Sequence, residues 1–362
     1  MSEIYIGLMS GTSTDGVDGV LADLAGDGIR VLASTSLPLA GPLREQLLAL
    51  NTSGPDELAR SARAALGLVD AYAAVCAELL RLSGLPATAV RAVGSHGQTV
   101  RHAPQDGYTI QINAPARLAE LTSMAVVADF RSRDVAAGGQ GAPLVPAFHA
   151  ARFGRNAGRT VLNLGGIANL TVLGAPVRGF DTGPANMLMD AWIQQHLGQP
   201  FDRDGAWAAR GRCNPMLLDL LLAEPWFNTV PPKSTGRDLF NLSWLQKHLK
   251  SLPITVSDAD VQATLLQLSV TTIVDAIQTH APETQEVLAC GGGALNRGFM
   301  HALARQLSCP LTTTDTYGVP AQTVEALAFA WLAQACLHQK AACWPEVTGA
   351  RHASIAGCLY PA

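Results

Sequence analysis

Short apolar runs broken by small and acidic residues mark the start of the chain. Residues 4–9, 17–24 and 29–35 are too short for helices and are bounded by Gly, Ser and Asp, so they predict strands joined by turns. The spacing then changes to that of helices. LREQLLAL and PDELARSARAALGLVDAYAAVCAELLRLSGL each carry an apolar face, and the second ends on a Gly stop. VRAVGSHGQTV at 90–100 predicts a strand running into a polar turn, GYTIQIN another strand, ARLAELTSM a helix, and AVVADF a strand ending on Asp129. A loop rich in Gly, Ala and Pro follows at 131–149 and is the candidate domain junction.

Beyond it the opening pattern returns. RTVLNLGGIANLTVL is again strand, small-residue turn, strand. NMLMDAWIQQHLG predicts a helix, 212–280 is mostly helical around the break PPKSTGRDLFN, and EVLACGGGALN is a strand entering a glycine turn before another helix. VEALAFAWLAQACLH is a last long helix. Strands alternating with helices, in two sections that begin alike, indicate an α/β protein of duplicated architecture with a cleft between its halves.

Composition narrows the class. A chain of 362 residues with 48% hydrophobic and 15% charged residues exceeds one ordinary core and is not disordered. A net charge of -4 without a basic stripe argues against nucleic acid. Seven scattered cysteines without a CxxC pair read as reduced thiols. The N-terminus lacks the pattern of a signal peptide and no apolar run reaches membrane-spanning length, so the expected location is the cytoplasm, with no membrane partner.

The turns carry the candidate chemistry. The first offers backbone N–H groups and hydroxyls to an anion, and its glycines permit close approach. Asp15 and Asp18 would repel a bare phosphate, so they make sense beside Mg²⁺ bound to one. The alternative is an ordinary hairpin turn. The loop at 291–293 could let a nucleotide lie against backbone, or be only a tight strand-to-helix turn.

Together GLMSGTSTDGVD, GSHGQTVRH, DFRSRDVAAGGQGAPLVP, LNLGGIANLT, FDTGPAN, PPKSTGRDLFN and ACGGGALN resemble the 1,6-anhydro-N-acetylmuramic acid kinase family, in the family's order and over nearly the whole chain. The resemblance implies a two-domain actin/hexokinase/Hsp70-like fold, a duplicated ribonuclease H-like α/β architecture with ATP between the domains. Domain I would comprise 1–130 and about 340–362, and domain II 131–339. It implies that Ser10, Gly11, Thr12, Ser13, Thr14, Asp15, Gly16, Val17 and Asp18 hold the ATP phosphates. Gly165, Gly166 and Asn169 would assist, and Gly291, Gly292, Gly293 and Asn296 would lie against the adenosine. Mg²⁺ would sit on Asp15 and Asp18, partly through water.

The implied reaction opens the sugar's 1,6-anhydro bridge with water and passes the γ-phosphoryl group of ATP to O6. Such a reaction needs a general base for the water. Asp181 matches the family's catalytic aspartate; without that resemblance the favoured reading is a cap for a helix starting near Pro184. The resemblance places the loop with Arg131 and Asp134 near the sugar, where Arg131 could pair a carboxylate. His96 and Gln98 would hydrogen-bond the sugar, and Glu325 would either reach the substrate or complement its helix dipole. Lys233 and Arg237 would contact phosphate or stabilise closure, or are solvated loop residues. A homodimer is implied, with helix 324–338 as one possible contact and core burial as the other. Two competing readings are an ordinary sugar or carboxylate kinase, and a non-catalytic ATP-binding regulator or filament.

Overall fold

A computed structural model describes the chain apart from Met1, Thr12, Ser13, Asp27 and residues 155–157. It divides into two compact units, Met1–Arg152 with Thr323–Ala362, and Phe153–Gln322.

In the first unit β1 (Ile4–Met9), β2 (Gly16–Asp23) and β3 (Arg30–Pro38) form an antiparallel meander. The parallel strands β4 (Val90–Ser95) and then β7 (Val126–Ala128) extend it from β1. Between these, β5 (Gln98–Ala103) and β6 (Tyr108–Ile112) pair as a separate hairpin. Central β1 is buried almost throughout, which explains its continuous apolar run, whereas edge strand β3 alternates between exposed and partly buried residues.

The second unit repeats the plan. Strands β8 (Arg159–Leu164), β9 (Ile167–Val172) and β10 (Arg178–Pro184) form the meander. Strands β11 (Glu286–Cys290) and β12 (Leu311–Thr313) then add in parallel beside β8. Numbered within each unit and leaving out the β5–β6 hairpin, these five strands have the order 3-2-1-4-5 in both sheets with the same strand directions, and the first sheet carries a sixth strand beyond β7. The two units thus repeat one α/β plan, as the duplicated architecture read from the sequence requires. The long helix Asp258–His280 packs in this unit; Ser257 caps it, and Asp258 and Asp260 complement its positive end.

The chain then returns to the first unit with the helix Val324–Leu337 and strand β13 (Cys358–Tyr360), which pairs with β7. Leu8 and Gly19, opposite each other on β1 and β2, face the helix Glu57–Ser83, where a Cβ on Gly19 would lie 2.2 Å from Val75. The other face of the sheet meets Val324–Leu337. A Cβ on Gly7 would lie 1.8 Å from the Ala326 carbonyl oxygen, and one on Gly94 2.0 Å from that of Phe329.

One expectation changes here. The units divide after Arg152 and Gln322, not at 130 and about 340, so the loop at 131–149 and helix Val324–Leu337 belong to the first unit. The loop also holds the helix Ser132–Ala136 and the start of Pro146–Phe153. The last long helix is buried around most of its circumference because its alanines let it close onto glycines of β1 and β4. Core burial is thus the use the structure shows for this helix. Among the described residues, no helix is long and apolar enough to cross a membrane.

Candidate functional site

The first hairpin turn joins β1 to β2. Thr12 and Ser13 lie outside the described residues. Around them the turn is braced from β5: Ser10 Oγ donates to Gln98 Oε1 at 2.7 Å, and Gln98 Nε2 donates to the Gly11 carbonyl at 3.2 Å. The Thr14 N–H donates to the same carbonyl at 3.1 Å, with Thr14 at φ 54°. Both polar ends of Gln98 therefore take part in shaping this turn.

Val17 is fully buried, so only its backbone can serve a ligand. A Cβ on Gly16 would meet the Leu37 carbonyl oxygen at 2.7 Å, so strand pairing by itself accounts for that glycine. Asp15 is exposed and pairs with Arg44 at 3.3 Å. Asp18 also reaches solvent, although partial desolvation and the nearby Asp15 raise its pKa against a hydrogen bond with Ser36. Among the described residues no three His, Cys, Asp or Glu side chains form a metal cluster. Two exposed carboxylates flanking this turn nevertheless have the chemistry to fit a hard cation that takes its other ligands from water and phosphate.

At the carboxyl ends of β4 and β7, His96 and Arg131 meet. Arg131 Nη2 lies 3.0 Å from His96 Nε2, and Arg131 Nη1 donates to the Gly141 carbonyl at 2.7 Å. Guanidinium can only donate, so His96 Nε2 accepts and the ring is neutral. Burial first, then the Arg131 charge, drive the His96 pKa down to about 3. Burial also lowers Arg131 to about 10, and its Nε has no hydrogen-bond partner among the described residues. Glu325, in the first turn of Val324–Leu337, acts on Arg131 electrostatically. A cavity of about 260 Å³ opens beside His96, lined by Gln111, Asn113, Asp129 and Ser132 among others. Asp129 holds a left-handed φ of 58°, unusual for a non-glycine residue.

Asp134 does something else. Its fully buried carboxylate accepts from the Gly141 N–H at 2.7 Å through Oδ2 and from Thr348 Oγ1 at 2.7 Å through Oδ1. It ties the Gly-rich loop to the C-terminal segment, with both oxygens occupied. Asp134→Ala should strand the buried Gly141 N–H, while the Thr348 hydroxyl keeps the Trp344 carbonyl as acceptor, and lower stability by about 1–3 kcal/mol, measured by urea unfolding.

In the second unit Asp181 sits within β10, opposite Asn169 on β9. Oδ2 accepts from the Thr235 N–H at 2.9 Å and from Ser234 Oγ at 3.1 Å, while the Asp181 N–H donates to the Lys233 carbonyl. Desolvation raises the Asp181 pKa to about 6, against the two hydrogen bonds and the Lys233 charge. The helix Asn186–Leu197 begins at Ala185 without a side-chain cap, so the capping role falls away. Lys233 donates to the Phe227 carbonyl and lies 4.4 Å over the Trp226 ring. Arg237 supplies its carbonyl to Asn241.

The second hairpin presents Gly165 and Gly166, whose carbonyls accept from the backbone N–H groups of Asn186 and of Ala185 and Met187 respectively. In the glycine loop after β11, packing explains two of three glycines. A Cβ on Gly291 would lie 2.3 Å from Asn163 Oδ1, and one on Gly293 2.7 Å from Leu164 Cβ; Gly292 meets nothing within 4 Å. Asn296 caps the helix Arg297–Gln306 through Oδ1 and donates to the Asp202 carbonyl. Sequence reading missed Ser234 and Thr235, although PPKSTGRD was visible as a break between helices, and it missed Arg44, an isolated helix residue without a local signal.

The model of the family described as AnmK, anhydro-N-acetylmuramic acid kinase, matches residues 3–362. The chain is 59% identical to the anhydro-N-acetylmuramic acid kinase of Bordetella pertussis, over 99% of this chain and 96% of that protein. It is 53% identical to the protein of that name in Pseudomonas paraeruginosa, over 99% of both chains, and 51% identical to that of Albidiferax ferrireducens, over the full length of both.

Proposed function

This chain belongs to the anhydro-N-acetylmuramic acid kinase family, and from that premise we propose that it cleaves the anhydro bridge of 1,6-anhydro-N-acetylmuramic acid with water and phosphorylates O6. The observation that carries the mechanism is Asp181, a carboxylate with one oxygen held by two donors and a pKa of about 6. Such a group is ionised at neutral pH yet basic enough to accept a proton.

The proton of the attacking water goes to Asp181 as the water oxygen bonds to C1. The C1–O6 bond breaks, O6 bonds to the γ-phosphorus of ATP, and the bond to the β-phosphate oxygen breaks to release ADP. The other product is N-acetylmuramic acid 6-phosphate, and the Asp181 proton returns to solvent. The turn at Ser10–Asp18 and the turn at Gly165–Gly166 are assigned to the ATP phosphates, and the loop at Gly291–Gly293 to the adenosine. Asp15 and Asp18 would hold Mg²⁺, which shields phosphate charge when bound. Arg131, with a buried guanidinium whose Nε lacks a partner among the described residues, is assigned to the substrate carboxylate, flanked by His96 and Glu325. A cytoplasmic homodimer is part of the same reading.

An ordinary sugar kinase would use the same base on a hydroxyl. Turnover in ¹⁸O-water separates the two: the proposed reaction places solvent oxygen at C1 of the product, and its absence refutes the hydrolytic step.

The pH profile gives a second test. Protonated Asp181 cannot accept the water's proton, and its raised pKa sets the transition near pH 6. Below that, kcat/KM should fall about tenfold per pH unit, and above it level off. A profile flat down to pH 5 contradicts a base of this kind.

A further inference from the structure

We propose that Ser234 and the Thr235 backbone N–H are positioning groups that pin one oxygen of the Asp181 carboxylate and reserve the other, Oδ1, for the proton. The proposal rests on the reading of Asp181 as the base. Both donors converge on Oδ2, at 3.1 and 2.9 Å, while Oδ1 has no hydrogen-bond partner among the described residues. A carboxylate held this way cannot rotate freely about its terminal bond, so the open oxygen keeps one direction relative to β10. Orientation of that kind matters because a base must stay aligned with both its proton and the reacting centre.

The loop carrying the two donors is itself fastened. The Asp181 N–H donates to the Lys233 carbonyl at 3.0 Å, and Trp226 Nε1 donates to the Ser234 carbonyl at 3.2 Å. Lys233 Nζ donates to the Phe227 carbonyl at 2.8 Å and lies over the Trp226 ring. Trp226 and Phe227 both pack on buried Phe240, at ring separations of 5.7 and 5.4 Å. The strand meets the same aromatic group: a Cβ on Gly183 would lie 2.7 Å from Phe227. Strand and donor loop are thus referenced to one rigid cluster, which fixes the distance between carboxylate and donors.

Among the described residues Lys233 is the charged side chain that acts on Asp181. Asn169, opposite on β9, is neutral. His280, at the end of the long helix, lies against Phe180, and its pKa is lowered by burial and by Lys233. Hydrogen bonds to the ionised carboxylate favour that form, so losing the Ser234 hydroxyl must make Asp181 harder to ionise.

The test is Ser234→Ala, Ser234→Thr and Asp181→Asn, each assayed for kcat and KM from pH 5 to 8. Ser234→Ala should move the acid limb of kcat/KM up by roughly half to one pH unit. It should lower plateau kcat about 3- to 10-fold and leave KM for ATP unchanged. Ser234→Thr, which keeps the hydroxyl, should restore both. If Asp181→Asn is inactive while Ser234→Ala keeps the wild-type limb, the positioning proposal fails and the base reading survives. If Asp181→Asn turns over normally, the base reading fails and takes the proposal with it.

Discussion

Asp181→Asn should reduce turnover by about 10²–10⁴-fold while ATP still binds and the protein still folds. The amide retains an oxygen to accept from Thr235 and Ser234, so the geometry around Oδ2 can persist, but it cannot take a proton from water. Stability should move the other way. The folded pKa of about 6 lies above the ordinary carboxylate value, so the ionised group opposes folding. This opposition is fully present above pH 6 and is relieved as the pH falls from about 6 toward 4. At pH 8 the neutral amide escapes it, and the Tm of the variant should equal or exceed that of the parent. A dead enzyme with lowered Tm and no nucleotide binding would mean that Asp181 is a structural residue. Calorimetric titration with a non-hydrolysable ATP analogue and a thermal scan at pH 8 make the distinction.

Much of this arrangement was legible in the sequence. Strands β1 to β3 fall within a few residues of their apolar runs because an element buried on one or both faces must show its burial locally. The repeated hairpin at 160–173 announced a duplication that the two sheets display with identical strand order. What stayed hidden depends on distance along the chain. Nothing near Gly7 says that residue 326 lies against it, and nothing near residue 323 says that the chain re-enters the first unit there. The polar motif residues were also ambiguous, because a side chain that shapes a turn has the same chemistry as one that contacts a ligand. Gln98, Asp134 and Asn296 proved to have their hydrogen bonds placed within the protein. Asp181 shows the converse: its motif marked it, but only the fold brought Ser234 and Thr235, more than fifty residues further on, to its carboxylate.

Gly7→Ala should destabilise the first unit more than most single methyl additions do. The added carbon would lie 1.8 Å from the Ala326 carbonyl oxygen and 2.6 Å from the Ala330 nitrogen. Both obstacles are backbone, so no rotamer change relieves them; helix Val324–Leu337 must move off β1. Overpacking in cores typically costs about 1–3 kcal/mol. Here the loss should be about 3 kcal/mol or more, a fall in Tm of roughly 6–12 °C. Gly41→Ala is the control, since its Cβ meets nothing within 4 Å and the residue begins the helix Gly41–Ala49, where alanine is the better helix former. The displaced helix also carries Glu325, so any Gly7→Ala protein that remains folded should show a raised KM for the sugar with less change in KM for ATP. An unchanged Tm would mean that helix and sheet do not approach as closely as the two glycines require, and that Glu325 is not held near Arg131 by this contact.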